Sequence, residues 1–294
     1  MKLAMNSSYF QRKMSTEELA KMISEAGFGA VDYSLMTMVR PECIYNGSDY
    51  LSVAEENGKI LRSYNLPVVQ THTPFEFKSF DEPFFMEATI RSLEASAVLG
   101  AEVAVVHPLH HMVYAGHEEE IFQLNMEFYR SLIPICKSCG IKIGIENMFQ
   151  RDSKRGFIVH DTCASIEEFC RYIDTLDSEY MVACLDVGHV SLPMQTIDAS
   201  DMIRILGHER LHSLHIHDND FRDDRHAAPF CGNLDWYGIT KALGEIDYDG
   251  DFSYEVNFGK IVGSADVSLY PAVLRYLAQV GNHLVEQVNK NRPQ

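Results

Sequence analysis

Short apolar or alternating runs recur along the chain, with amphipathic stretches between them. Eight such runs fall at residues 2–8 (KLAMNSS), 30–35 (AVDYSL), 67–74 (PVVQTHTP), 102–108 (EVAVVHP), 142–148 (KIGIENM), 181–189 (MVACLDVGH), 211–219 (LHSLHIHDN) and 251–258 (DFSYEVNF). Each predicts a strand. The stretches between them carry helix signals. In STEELAKMISEAG, Ser15 is an N-cap, Glu18 closes a capping box and Gly27 stops the helix. Further helices are predicted over residues 50–65, 83–99 (stopped by Gly100), 118–139 (ending at Gly140), 165–176 (a second capping-box pattern), 199–208, 236–245 and 271–289.

Strict strand-then-helix alternation argues for a parallel sheet with helices outside it. About eight such units in 294 residues fit a closed (β/α)8 TIM barrel better than an open sheet. No Pro/Gly/Ser-rich linker interrupts the chain, so one domain is expected over residues 1–294. The longer connections after the second, third, fourth and seventh strands are candidate lids at the catalytic face.

Composition narrows the class. Hydrophobic residues make up 46% of the chain, yet no run approaches the ~20 apolar residues of a membrane span. The first residues lack the apolar run of a signal peptide, so a soluble cytoplasmic protein is expected. The seven cysteines are scattered and form no disulfide framework. Cys136 and Cys139 make a single CxxC at the end of a helical pattern, expected to be packed helix thiols. The formal net charge of −17 opposes binding to a phosphate backbone. The densest basic stretch, RDSKR at residues 151–155, is short.

The chemistry gathers where the strands end. The third predicted strand ends at His72 and the fourth at His107. The fifth ends at Glu146-Asn147, and the sixth carries Asp186 and His189. The seventh ends at His215, with His217 and Asp218 beyond, and the eighth near Glu255. In a parallel barrel these ends converge on one mouth. Burying several carboxylates there is costly unless a cation compensates. Mixed His, Asp and Glu ligands suit a divalent ion such as Mn, Zn, Co or Mg. His215 and His217 share strand parity, and the deeper His215 is the better ligand. Asp218 is expected to orient a ligand from behind.

Together the motifs IGIENM, LDVGHV and LHIHDND…DDRH…GNLDW carry a resemblance. The chain resembles the xylose isomerase-like (β/α)8 superfamily, in the branch of sugar phosphate isomerases/epimerases and ketose 3-epimerases. It is related to the type IV apurinic endonucleases. The resemblance spans nearly the whole chain. It implies one divalent metal held by Glu146, Asp186, His215 and Glu255. It also implies that Glu146 and Glu255 act as the acid/base pair, working through a metal-bound enediolate, and that His189 contacts a substrate oxygen. The endonuclease pattern maps as well and implies up to three ions. His72, His107 and Glu146 would serve one, and Glu146, Asp186, His215 and Glu255 the next. His189, Asp224 and His226 would serve the third. The net charge and the loop NMFQRDS argue against the nuclease. In the isomerase reading those extra residues shape the sugar pocket instead. A metal-dependent lyase, dehydratase or glycoside-processing enzyme on the same site stays open, because fold and ligands do not fix a reaction.

Substrate contacts are less legible. Asn6, Ser7 and Ser8 at the first strand end are candidates for sugar hydroxyls, as is His217. Tyr114 and His110 are candidates to reach the pocket, while His111 and His117 are expected to be solvated. Trp236 is expected to pack. No Gly-rich phosphate cradle exists. Arg222 and Arg225 are the candidates for a substrate anion, with pairing to nearby aspartates as the competing reading. The expected partner is a small sugar or polyol, with no nucleic acid or membrane, in a homo-dimer or homo-tetramer as in relatives.

Overall fold

A computed structural model describes residues 1–75, 83–109 and 112–293. In chain order its strands are β1 (Leu3–Asn6), β2 (Ala30–Ser34), β3 (Val68–His72), β4 (Val103–Val105), β5 (Lys142–Glu146), β6 (Phe149–Arg151), β7 (Ile158–His160), β8 (Met181–Asp186), β9 (Leu211–His215) and β10 (Phe252–Tyr254). Eight of them run parallel in the order β10-β1-β2-β3-β4-β5-β8-β9. The last gap closes through a parallel bridge between Ile216 and Tyr254. There Ile216 N–H donates to Ser253 O at 2.8 Å, and Glu255 N–H donates to Ile216 O at 3.1 Å. The helices lie around this sheet, which makes the fold the expected TIM barrel.

The predicted helices follow from their end signals. Ser15 and Glu18 make both bonds of the capping box before the helix Thr16–Ala26, and Gly27 ends it in the left-handed region. Helices Pro83–Leu99, Glu118–Cys139 and Trp236–Glu245 fall where predicted. The second capping box is only half formed. Ser165 accepts from Glu168 N–H, but the Glu168 carboxylate turns to the Cys163 N–H at 2.9 Å. The helix Ala199–Arg210 is broken at Gly207, whose φ is 67°.

Each strand is shorter than its apolar pattern. Past the end of the ladder the chain continues on single bonds, such as Val187 N–H to His215 O at 3.1 Å. The alternation persists because these residues still face the interior, at the mouth. The connection after β5 is not the expected plain loop: β6 and β7 pair antiparallel as a hairpin outside the barrel. Part of the connection after β3, residues 76–82, lies outside the described residues, as do His110 and His111. Cys136 is buried and Cys139 partly so, and all seven cysteines are free. Among the described residues no helix is long and apolar enough to cross a membrane.

Inside the barrel, one level below the mouth, Asp32 takes hydrogen bonds on Oδ2. They come from Asn6 Nδ2 at 3.1 Å, Gln70 Nε2 at 3.3 Å and Ser253 Oγ at 3.4 Å. Apolar packing therefore lies mainly between sheet and helices, while the lumen is polar.

Candidate metal centre

Glu146 ends β5, Asp186 ends β8, His215 ends β9, and Glu255 follows β10 by one residue. The register aligns Asp186 with His215 on neighbouring strands. One ligand atom from each of these four residues falls within 4.8 Å of every other. His215 Nδ1 lies 3.2 Å from Glu146 Oε1 and 3.3 Å from Glu255 Oε2. Ligand atoms this far apart suit bonds of ~2.1 Å to one shared ion. Among the described residues neither ring nitrogen of His215 has a hydrogen-bond partner, although the residue is fully buried. An orphaned imidazole beside two carboxylates is the donor set a divalent cation would satisfy.

Two further clusters adjoin this one. His72 Nε2 and His107 Nε2 lie 2.7 Å apart, and His107 Nε2 lies 2.7 Å from Glu146 Oε2. On the other side His189, His217, Asp224 and His226 converge. His217 Nε2 meets Asp186 Oδ2 at 2.9 Å, and His226 Nε2 meets Asp224 Oδ2 at 2.9 Å. The rings of His217 and His226 stack with centroids 3.9 Å apart. His226 holds a left-handed backbone, φ 48°, and its Nδ1–H donates to Glu255 O at 2.7 Å. Such a conformation in a non-glycine residue costs energy and persists only where the surroundings enforce it.

The DVGH sequence explains part of this placement. Asp186 Oδ1 accepts the His189 N–H at 2.8 Å, which fixes a tight turn after β8. His189 Nδ1–H donates to Asn147 O at 2.7 Å, which aims its other nitrogen at the cluster. A Cβ at Gly188 would lie 2.0 Å from the His217 ring, so only glycine leaves room for it. Asn147 ties the ends of β5 and β8 by accepting Asp186 N–H at 2.8 Å and donating to Asp186 O at 3.0 Å.

The electrostatics split the carboxylates. Burial opposes ionisation of Glu146, but the charges of His215 and His107 outweigh it and hold the group well below its usual range. Asp186 is lowered too, by His189 and His217 against burial. Burial wins at Glu255 and pushes it up to about 7. His226 is pushed up to about 10: burial opposes this, but the bond to Asp224 and the charge of Glu255 prevail.

Other sequence candidates fall elsewhere. Asn6 is buried and committed to Asp32 and to the Ser8 N–H, and Ser7 is fully buried, accepting from Ser34 N–H. Arg222 is exposed outside the clusters, and Arg225 pairs with Asp220 at 2.9 Å. Tyr114 lies beside Glu168, and its N–H donates to Gln150 Oε1 at 3.1 Å. His117 is exposed, and Trp236 packs at 1% exposure. Asp218 does not orient a ligand: its oxygens accept from Asn219, Gly232 and Leu234 N–H and from Trp236 Nε1. One member went unforeseen: Asp32 joins His72 and His215 in a fourth group. His217, already a candidate for substrate contact, completes the third. An acid inside the otherwise buried strand AVDYS was the available clue to Asp32.

A (β/α)8 barrel whose mouth gathers acids and histidines has clear kin. The chain belongs to the xylose isomerase-like TIM barrel family, whose model matches residues 20–279. It is 28% identical to the uncharacterised protein MJ1311 of Methanocaldococcus jannaschii over 87% of this chain and 83% of that one. A mannonate dehydratase of Thermotoga neapolitana is 27% identical over 45% of this chain and 38% of its own. Among solved structures, a D-tagatose 3-epimerase-like protein superposes with a TM-score of 0.73 at 22% identity, covering 99% of both chains. The IOLI protein with a bound zinc atom gives 0.73 at 17% identity over all of both chains.

Proposed function

We propose that the protein is a divalent-metal-dependent isomerase or epimerase of a sugar or polyol. The observation that carries this reading is the placement of Glu146 and Glu255 against the same ring nitrogen of His215, at 3.2 and 3.3 Å from Nδ1. One ion (Mn, Zn, Co or Mg) held by Glu146, Asp186, His215 and Glu255 would polarise a substrate carbonyl and acidify the neighbouring C–H. The two glutamates move the proton. One of them removes the proton from the substrate carbon, and the other returns one. Return to the opposite face of the same carbon is epimerisation, and return to the adjacent carbon is isomerisation. His72, His107, His189, Asp224 and His226 contact substrate oxygens, with His217 behind Asp186.

Two other readings have an observation each. The partial match to a mannonate dehydratase favours the same proton abstraction followed by loss of a hydroxyl as water. The convergence of His189, His217, Asp224 and His226 favours a three-ion phosphoesterase, which the net charge of −17 opposes.

The deciding experiment counts metal per chain in protein purified without chelator or His tag. It then follows solvent deuterium into a panel of ketoses and sugar acids. About one ion per chain with deuterium uptake supports the isomerase. Three tightly held zinc ions with cleavage of an abasic duplex would replace it, and water loss without reversible exchange would favour the dehydratase.

A further inference from the structure

A cavity of about 690 Å³ opens from Glu255 and His226 toward the loops that follow β1 and β2. Arg12 and Arg40 line it. Arg12 follows the short helix Ser8–Gln11, and Arg40 follows the 3-10 turn Met36–Val39. Among the described residues neither guanidinium meets a carboxylate or another hydrogen-bond acceptor. Both are exposed, as is Arg222, which also has no side-chain partner among the described residues, whereas Arg151 is bound by Asp223 and Arg225 by Asp220. Acids outnumber bases 42 to 25 in this chain. Among the described residues the cavity lining reverses that balance, with two arginines against one carboxylate, Glu255.

Two unpaired guanidinium forks facing a cavity are an anion receptor in search of a carboxylate or phosphate. They also offset the negative field that would otherwise repel an anionic ligand from this protein. A neutral sugar needs no such wall, since Ser8, Gln11 and Thr37 line the same cavity and can serve its hydroxyls. We propose that Arg12 and Arg40 bind an anionic group at the end of the substrate remote from Glu255. The substrate is then a sugar acid or a sugar phosphate. The inference rests on the isomerase reading for where the reacting carbon lies, and it gives the anion role to these arginines instead of Arg222.

The test is calorimetric titration of the Mn-loaded full-length protein at low salt with D-fructose, D-fructose 6-phosphate and D-fructuronate. Wild type is compared with Arg12→Gln, Arg40→Gln and the double variant. The expected result is at least tenfold tighter binding of one anionic compound than of fructose. Which of the two it is tells phosphate from carboxylate. That advantage should fall about tenfold with each arginine removed and shrink as salt is raised. Equal affinity for all three compounds, or an advantage that survives in the double variant, overturns the proposal. Deuterium exchange on the same compounds separates the two readings. Exchange without preference for an anion sinks the anion site and leaves the isomerase. Arginine-dependent anion binding without exchange leaves the site and sinks the isomerase.

Discussion

Asp218 and Asp186 are both fully buried near the barrel mouth, and their surroundings differ. Asp218 is ringed by donors: three backbone N–H groups and the Trp236 indole, at 2.9 to 3.1 Å. Its charge is spent on holding residues 218–236 in shape. Asp186 takes one backbone donor, the His189 N–H at 2.8 Å, and otherwise lies among carboxylates and imidazoles, with His215 left without a hydrogen bond among the described residues. A carboxylate facing amides completes a loop by itself. Carboxylates facing each other are stable only with protons or a cation between them. The contrast separates an acid engaged with amides from one in a candidate metal cluster more sharply than burial does.

The comparison can be broken from the functional side first. Glu146→Gln and Glu255→Gln keep shape but lose the proton acceptor. Each should lower solvent deuterium exchange by about a thousandfold or more, while circular dichroism stays unchanged. A folded variant with full exchange would end the two-glutamate mechanism. The structural side predicts the reverse pattern. Asp218→Asn turns an NH2 toward N–H donors and should cost about 2–3 kcal/mol in denaturant unfolding. Metal content per chain should not change.

The pH dependence sharpens the same line. Burial raises Glu255 from 4.5 to about 7. Its contribution to stability is therefore full below 4.5 and is lost as pH rises through about 7. Ion binding needs the ionised group, and His215, raised well above its usual value, must also shed its proton. Mn²⁺ affinity measured by titration should climb between pH 5.5 and 8, by up to about tenfold per unit for each group titrating. A flat profile would remove Glu255 from the ligand set. The smallest effect is expected for Trp236→Phe, which loses one bond to Asp218 and about 1 kcal/mol of stability, with exchange unaffected.

Much of the barrel could be read along the chain. Strand and helix periods are local properties, and so are caps such as Ser15 with Glu18. The acid or histidine at six successive strand ends was visible for the same reason. Parallel strands bring those ends to one mouth whatever the detail. What stayed hidden was direction and partnership. The hairpin of β6 and β7 follows from pairing across a loop of mixed character, and Glu168 left its expected cap for Cys163.

Sequence alone determined an alternating β/α chain, its barrel closure by number of units, and the residue types delivered to the mouth. Tertiary structure decided which of them meet. Closure sets Leu3 beside Phe252, nearly 250 positions apart, and so lets β1 and β2 supply Asn6 and Asp32 beneath groups from β3 and β9. It sent Asp218 to donors 14 to 18 residues onward and His217 to Asp186 instead. It also left Arg12 and Arg40 at the cavity without a partner among the described residues while Arg225 found Asp220. The reason is physical. Composition fixes what a side chain can bind, but the neighbours within a few ångströms fix what remains unbound, and those neighbours come from the whole chain.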